Sequence, residues 1–156
     1  MSSFEPVAHI DLSALAHNLG EVRRLVGSRV SVLAMVKADA YGHGAVAVTE
    51  RLVSQGVDTF GVATLDEAER IATVRAGSTC VVFGGISPDE AARAVALDCD
   101  VVTDSRDVVG ALAAGAVASG REARDGGSRQ RRHEQDDAAG VEDRDLDDGG
   151  AAAVED

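Results

Sequence analysis

The sequence predicts an α/β chain built on a parallel sheet, and three observations lead there. Four short apolar runs rich in β-branched residues recur through the first 116 residues. Between them lie helical segments with recognisable starts and stops. After Ala116 the larger apolar side chains almost vanish.

The elements follow in order. Residues 13–26 form the first helix, because Leu12, Leu15, Leu19, Val22, Leu25 and Val26 recur at helical spacing, and Gly27 stops it. Residues 30–36 form the first strand, which runs into Lys37-Ala-Asp-Ala-Tyr-Gly-His-Gly44, a glycine-rich turn. A helix from near Ala45 ends at Gly56, and residues 59–63 form the second strand. Thr64-Leu-Asp-Glu67 reads as a capping box opening a helix that Gly77 stops. Residues 79–83 are the third strand, and Ser87-Pro-Asp-Glu90 is a second capping box with proline at the first helical position. Residues 100–103 are the fourth strand. Strand and helix alternating four times imply parallel pairing with right-handed crossovers. An open doubly wound sheet and a (β/α) barrel both satisfy that pattern.

A chain of 156 residues has room for one ordinary domain or part of a larger one. No apolar run approaches the roughly 18 residues that a membrane span needs. The opening Met-Ser-Ser-Phe-Glu-Pro has no basic segment leading into an apolar stretch, so no export signal is expected and a cytoplasmic location is. Cys80 and Cys99 are accordingly expected as thiols and not a bridge. The net charge of −12 disfavours nucleic acid and anionic membrane as partners, since both are approached through basic patches. Half of that charge sits in the last 40 residues, where 12 acidic and 6 basic side chains accompany only Val117, Val141, Leu146 and Val154 as apolar residues larger than alanine. Too little surface can be buried there to offset ordering entropy, so 117–156 is expected to be a disordered, low-complexity acidic tail.

The turn after the first strand is neither a dinucleotide fingerprint nor a P-loop, because its lysine precedes the glycines and no Lys-Ser/Thr pair follows them. It places Lys37, the only lysine in the chain, where a parallel strand ends, the face that carries chemistry in α/β folds. A partly desolvated amine there is a good nucleophile towards carbonyls, which points to Schiff-base chemistry. The plainer alternative is a lysine that snorkels from strand to solvent. His9, His17 and His43 show no metal-ligand spacing, and no metal is expected.

Val36-Lys-Ala-Asp-Ala-Tyr-Gly-His-Gly44 closely resembles the pyridoxal-phosphate attachment motif of the alanine racemase family. His9-Ile-Asp-Leu12, Phe60-Gly-Val-Ala-Thr-Leu-Asp-Glu-Ala68 and Val82-Phe-Gly-Gly-Ile86 extend the resemblance over roughly residues 7–118. It implies a fold class: the N-terminal half, about four βα units, of a (β/α)8 TIM-type barrel, followed by the acidic tail. It also implies pyridoxal 5'-phosphate as cofactor, alanine as substrate, a homodimer for the intact family member, and D-alanine supply for the cell wall. Lys37 would bind the cofactor covalently and then serve as acid/base on one face of the substrate α-carbon, while Tyr41 would hydrogen-bond the cofactor phosphate. Asp39 orders the loop on this reading, and Gly42 and Gly44 turn it into the next helix.

Beyond about Val117 the resemblance stops. The family's later strands, its second acid/base tyrosine from the partner subunit and its arginine facing the pyridine nitrogen have no counterpart. In their place stands Asp125-Gly-Gly-Ser-Arg-Gln-Arg-Arg-His-Glu-Gln135. Permitted codons for Ser128-Arg-Gln-Arg-Arg-His-Glu-Gln135, read one base later, spell Val-Asp-Ser-Gly-Gly-Met-Asn, the family's next motif with one extra glycine. A change of reading frame between about Ala113 and Gly120 is therefore expected, with a genuine acidic tail as the rival. The expected activity is interconversion of L- and D-alanine by descent, with this chain alone inactive. The alternatives are a racemase of serine or another amino acid, a single-domain cofactor-carrying barrel, or a non-catalytic remnant that keeps the loop without the chemistry.

Overall fold

The computed structural model describes residues 7–120. The elements run α1 (Leu12–Val26), β1 (Leu33–Met35), α2 (Lys37–Gly42), α3 (Ala45–Ser54), β2 (Thr59–Val62), α4 (Leu65–Ile71), β3 (Thr79–Val82), a 3-10 turn (Pro88–Glu90), α5 (Ala91–Ala96), β4 (Cys99–Val101) and α6 (Arg106–Ala118). The four expected strands are present but shorter than their apolar runs. β2 starts at Thr59, opposite Leu33, so residues 30–32 find no partner strand. The Asp11 carboxylate caps α1 by accepting from the Ser13 and Ala14 N–H groups at 2.8 and 3.1 Å. Gly27 and Gly56 carry positive φ where α1 and α3 stop, as expected, whereas α4 ends at Ile71, six residues before Gly77, whose positive φ serves the turn into β3. At Ser87 the Glu90 carboxylate accepts from the Ser87 N–H at 3.0 Å, and the helix it opens begins as a 3-10 turn before α5. Of the expected acidic tail, Val117 and Ala118 close the last turn of α6, and the expectation for 121–156 lies outside the described residues.

The sheet is fully parallel in the order β1-β2-β3-β4. A doubly wound sheet reverses its strand order to cover both faces with helices. Sequential order with right-handed crossovers instead puts every helix on one face, as along the wall of a barrel. Alternation then sorts the side chains. Ala34, Phe60, Cys80 and Cys99 share a register row facing the helices, with Val62, Val82 and Val101 in the next row. Leu52, Leu65, Ala68, Ile71 and Ala94 pack onto them from the helices. On the opposite face Leu33 is 40% exposed, and the Met35 side chain lies over Gly61, where a Cβ would meet its Cε at 2.8 Å. That face is the interior of a barrel whose far wall is missing from the described residues.

Cys80 and Cys99 are free thiols, adjacent in the β3–β4 register. The hydrogen bond to Cys99 and burial push the Cys80 thiol up, while the same hydrogen bond and the nearby Arg75 guanidinium hold Cys99 down. Arg75 is 5% exposed and donates to the carbonyls of Ser78 and Leu97 at 3.1 and 2.5 Å, joining the loops that precede β3 and β4. Among the described residues no helix is long and apolar enough to cross a membrane.

Candidate functional site

β1 hands the chain over at Val36, which is buried and donates its N–H to Gly61 O at 2.8 Å. Lys37 follows, half-buried at the C-terminal end of the strand. The next four residues are left-handed: Ala38 (φ 51°, ψ 46°), Asp39 (56°, 45°), Ala40 (52°, 46°) and Tyr41 (57°, 36°). None is glycine, and each L-residue in this region costs roughly 1–2 kcal/mol. Their local sequence contains no demand for positive φ, so the surroundings impose it.

Those surroundings can be named. Ala40 N–H donates to Val36 O at 2.9 Å, Gly44 N–H to Asp39 O at 2.9 Å, and His43 Nδ1–H to Ala40 O at 2.8 Å. The Asp39 carboxylate accepts from Ala45 N–H at 2.8 Å and so caps α3, whose own N-cap, Gly44, has no side chain to do it. Asp39 thus orders the loop as expected. The Ala40 methyl is buried in the core beneath the turn. A signed test follows. Exposed Ala38 replaced by glycine should raise stability by roughly 0.5–1 kcal/mol, because glycine enters positive φ freely, whereas Ala14→Gly in right-handed α1 should cost about as much. The two midpoints of urea unfolding should move in opposite directions.

Glu67 does more than the capping box that the sequence assigned it. In the expected capping box its carboxylate would close on the Thr64 N–H. Thr64 Oγ1 does accept from Glu67 N–H at 3.3 Å. The short bonds of the carboxylate, however, go one residue earlier and across to the lysine turn: Oε2 accepts from Ala63 N–H at 2.7 Å and Oε1 from Ala38 N–H at 2.8 Å. Partial burial works to raise the pKa of Glu67 but is outweighed by the N–H groups of Ala38, Ala63 and Thr64 and by Arg70, which hold it below the ordinary glutamate value. A depressed carboxylate stabilises the fold above its unfolded pKa, and that contribution is lost as pH falls through the folded value.

Tyr41 leaves the same turn four residues after Lys37 and is 59% exposed. With Met35, His43, Leu15 and Leu19 it lines a groove of about 580 Å³ beneath α1, and Lys37 is not among the lining residues. The fold therefore carries both sequence-predicted site residues on one turn but gives them different surroundings. Beside them the ends of β2 and β3 meet backbone to backbone. Gly84 N–H donates to Ala63 O at 2.9 Å, and a Cβ on Gly84 would overlap that oxygen.

Comparison with known proteins adds the family. The family described as "Alanine racemase, N-terminal domain" matches residues 10–124. The alanine racemase of Citrifermentans bemidjiense is 39% identical over 112 residues, 72% of this chain and 30% of that protein. The chain thus spans about 30% of the length of the curated relatives it matches. Among solved structures, the biosynthetic alanine racemase of Pseudomonas aeruginosa is 34% identical with a TM-score of 0.60, over 68% of this chain and 29% of that one. The alanine racemase of Clostridium difficile 630 aligns with a TM-score of 0.69 at 24% identity, over 73% of this chain and 30% of that one, which speaks for the fold alone. The four βα units are accordingly an N-terminal partial barrel. Because the family match takes in every strand and helix from α1 to α6, the chain belongs to the alanine racemase N-terminal domain family.

Proposed function

We propose that this chain carries the lysine half of a pyridoxal-phosphate-dependent alanine racemase. One observation carries the reading: Lys37, a half-buried lysine, stands at the C-terminal end of a parallel strand and leads into a backbone turn held against its intrinsic preference. On this reading the cofactor would be held at two points, its aldehyde carbon by Lys37 Nζ and a phosphate oxygen by the exposed Tyr41 hydroxyl. When bound, pyridoxal phosphate supplies an aldehyde that condenses with an amine with loss of one water, and a conjugated ring that draws electrons from an amino-acid α-carbon.

The chain's own residues then have distinct tasks. Lys37 Nζ anchors the group and, once freed, takes or returns a proton on one face of the α-carbon. Tyr41 Oη donates to the phosphate and fixes the far end. Inverting an α-carbon requires a second proton carrier on the opposite face. In the family that role is expected of a tyrosine from the partner subunit, and Tyr41, the only tyrosine in the chain, is assigned to the phosphate on this reading. Turnover would therefore need groups from the rest of a barrel and a partner subunit, and the 156 residues alone would be inactive. The wider reading is a homodimeric cytoplasmic enzyme that supplies D-alanine for the cell wall.

A remnant that keeps the loop without chemistry is the second reading, favoured by the placing of Tyr41 in a groove that Lys37 does not line. One experiment separates them. Purified chain is incubated with pyridoxal phosphate, reduced with borohydride and mapped by mass spectrometry, beside the same chain in urea. Labelling of Lys37 well above the urea control supports the anchor, and Lys37→Ala should remove it. Labelling no faster than in urea would leave the remnant. Racemisation of alanine by the wild-type chain would overturn the claim of inactivity.

A further inference from the structure

We propose that Glu67 is the positioning residue for Lys37, its carboxylate acting as a two-armed acceptor that locks the left-handed turn to the end of β2. The inference rests on the reading of Lys37 as the cofactor anchor.

Position is the first argument. Ala63 comes directly after β2, and Ala38 directly after Lys37. At these points the sheet has run out, and each N–H needs an acceptor that no neighbouring strand provides. Glu67, in the first turn of α4, meets both with separate oxygens at 2.7 and 2.8 Å. The Ala38 N–H belongs to the peptide that joins Lys37 to the turn. Fixing that peptide plane fixes the direction in which the Lys37 Cα–Cβ bond leaves the strand, and hence where the amine points.

Chemistry is the second argument. Two N–H groups converging on one side chain require an acceptor at both arms. A carboxylate has this, whereas glutamine would offer one oxygen and set an NH2 against the other donor. Aspartate keeps both oxygens but is one methylene shorter. The charged groups near the bracket are few. Arg70 lies on the same helix and approaches Asp39 of the turn at 4.0 Å, while Asp66 is paired with Arg93 at 2.6 Å, away from the lysine turn. A titration seen at both amides is therefore assigned to Glu67 by its loss in E67Q, with Asp39 as the carboxylate to compare.

The test uses the full 156-residue chain, labelled with 15N. Across an acid titration the Ala38 and Ala63 amide signals should move with one shared midpoint below the ordinary glutamate range, and E67Q should abolish that shared movement. Amides that titrate separately, or not at all, would overturn the proposal. A second readout is the rate at which pyridoxal phosphate and borohydride label Lys37, the sole lysine, in folded wild type and E67Q. With the Phe60 and Ile71 amide signals unchanged as evidence of folding, E67Q should label on the order of tenfold more slowly, the effect of one lost charge-assisted hydrogen bond. An unchanged rate would overturn the positioning role. Should wild-type Lys37 label no faster than in urea, the anchor reading fails, and the amide titration still decides whether the bracket exists.

Discussion

Replacing Phe60 by alanine is expected to remove most of the cooperative unfolding transition. Phe60 is 0% exposed and sits at the middle of β2, in register with Ala34 on one side and Cys80 on the other. Both neighbours in its row are small, so the ring is the one large side chain that the sheet sends towards the helices from that row. Truncating a buried phenylalanine costs about 3–5 kcal/mol, because the transfer free energy is lost and a cavity stays behind. Stability of a domain this size is on the order of 5–15 kcal/mol in total. A sheet covered on only one face sits at the low end of that range. Urea unfolding followed by far-UV circular dichroism should show the midpoint collapsing towards zero denaturant. Phe60→Leu keeps most of the volume and should cost less than about 1.5 kcal/mol. If Phe60→Ala loses no more than the leucine variant, Phe60 does not centre the core.

The second large effect is expected at Gly84, where alanine should cost about 3 kcal/mol, the upper end for overpacking. The added methyl would overlap the Ala63 carbonyl oxygen, a backbone atom with no rotamer to escape into. Either the Gly84 N–H to Ala63 O bond opens or Ala63 moves. Movement of Ala63 would also pull on its N–H, one arm of the Glu67 bracket. Gly84→Ala should therefore slow labelling of Lys37 by pyridoxal phosphate as well as lower the unfolding midpoint. Gly85→Ala is the control. Its φ of 77° strains any L-residue, but a Cβ there meets nothing within 4 Å. The expected cost is roughly 1–2 kcal/mol with labelling unchanged.

Much of this fold could be read in the residues because its signals are local. β-branched runs marked the strands, and single glycines marked the ends of α1 and α3 at Gly27 and Gly56, though α4 stops at Ile71 well before Gly77. The barrel order did not follow from the alternation, since an open sheet alternates in the same way, and it was decided by which strands pair. The lysine turn was visible as a motif and hidden as a geometry. Nothing in Ala-Asp-Ala-Tyr asks for four left-handed residues, because the bonds that hold the turn come from the folded surroundings, among them one from Glu67 about thirty residues on. Glu67 itself was masked by a good local explanation. A glutamate three residues after a threonine reads as a capping box, and its reach to a neighbouring strand end is a tertiary fact. The available hint was that this helix opens directly after a strand, with a carboxylate in its first turn near two strand ends.

The pairing of each strand with its immediate successor also carries a kinetic meaning. Sheet contacts close only over the span of one βα unit, which keeps loop-closure entropy small and favours fast assembly. During synthesis, when the N-terminal part leaves the ribosome first, β1 and β2 can pair before β4 has been translated. The Glu67 bracket joins those same first two units. The nascent chain can thus set the posture of its lysine before the later units of the sheet are in place.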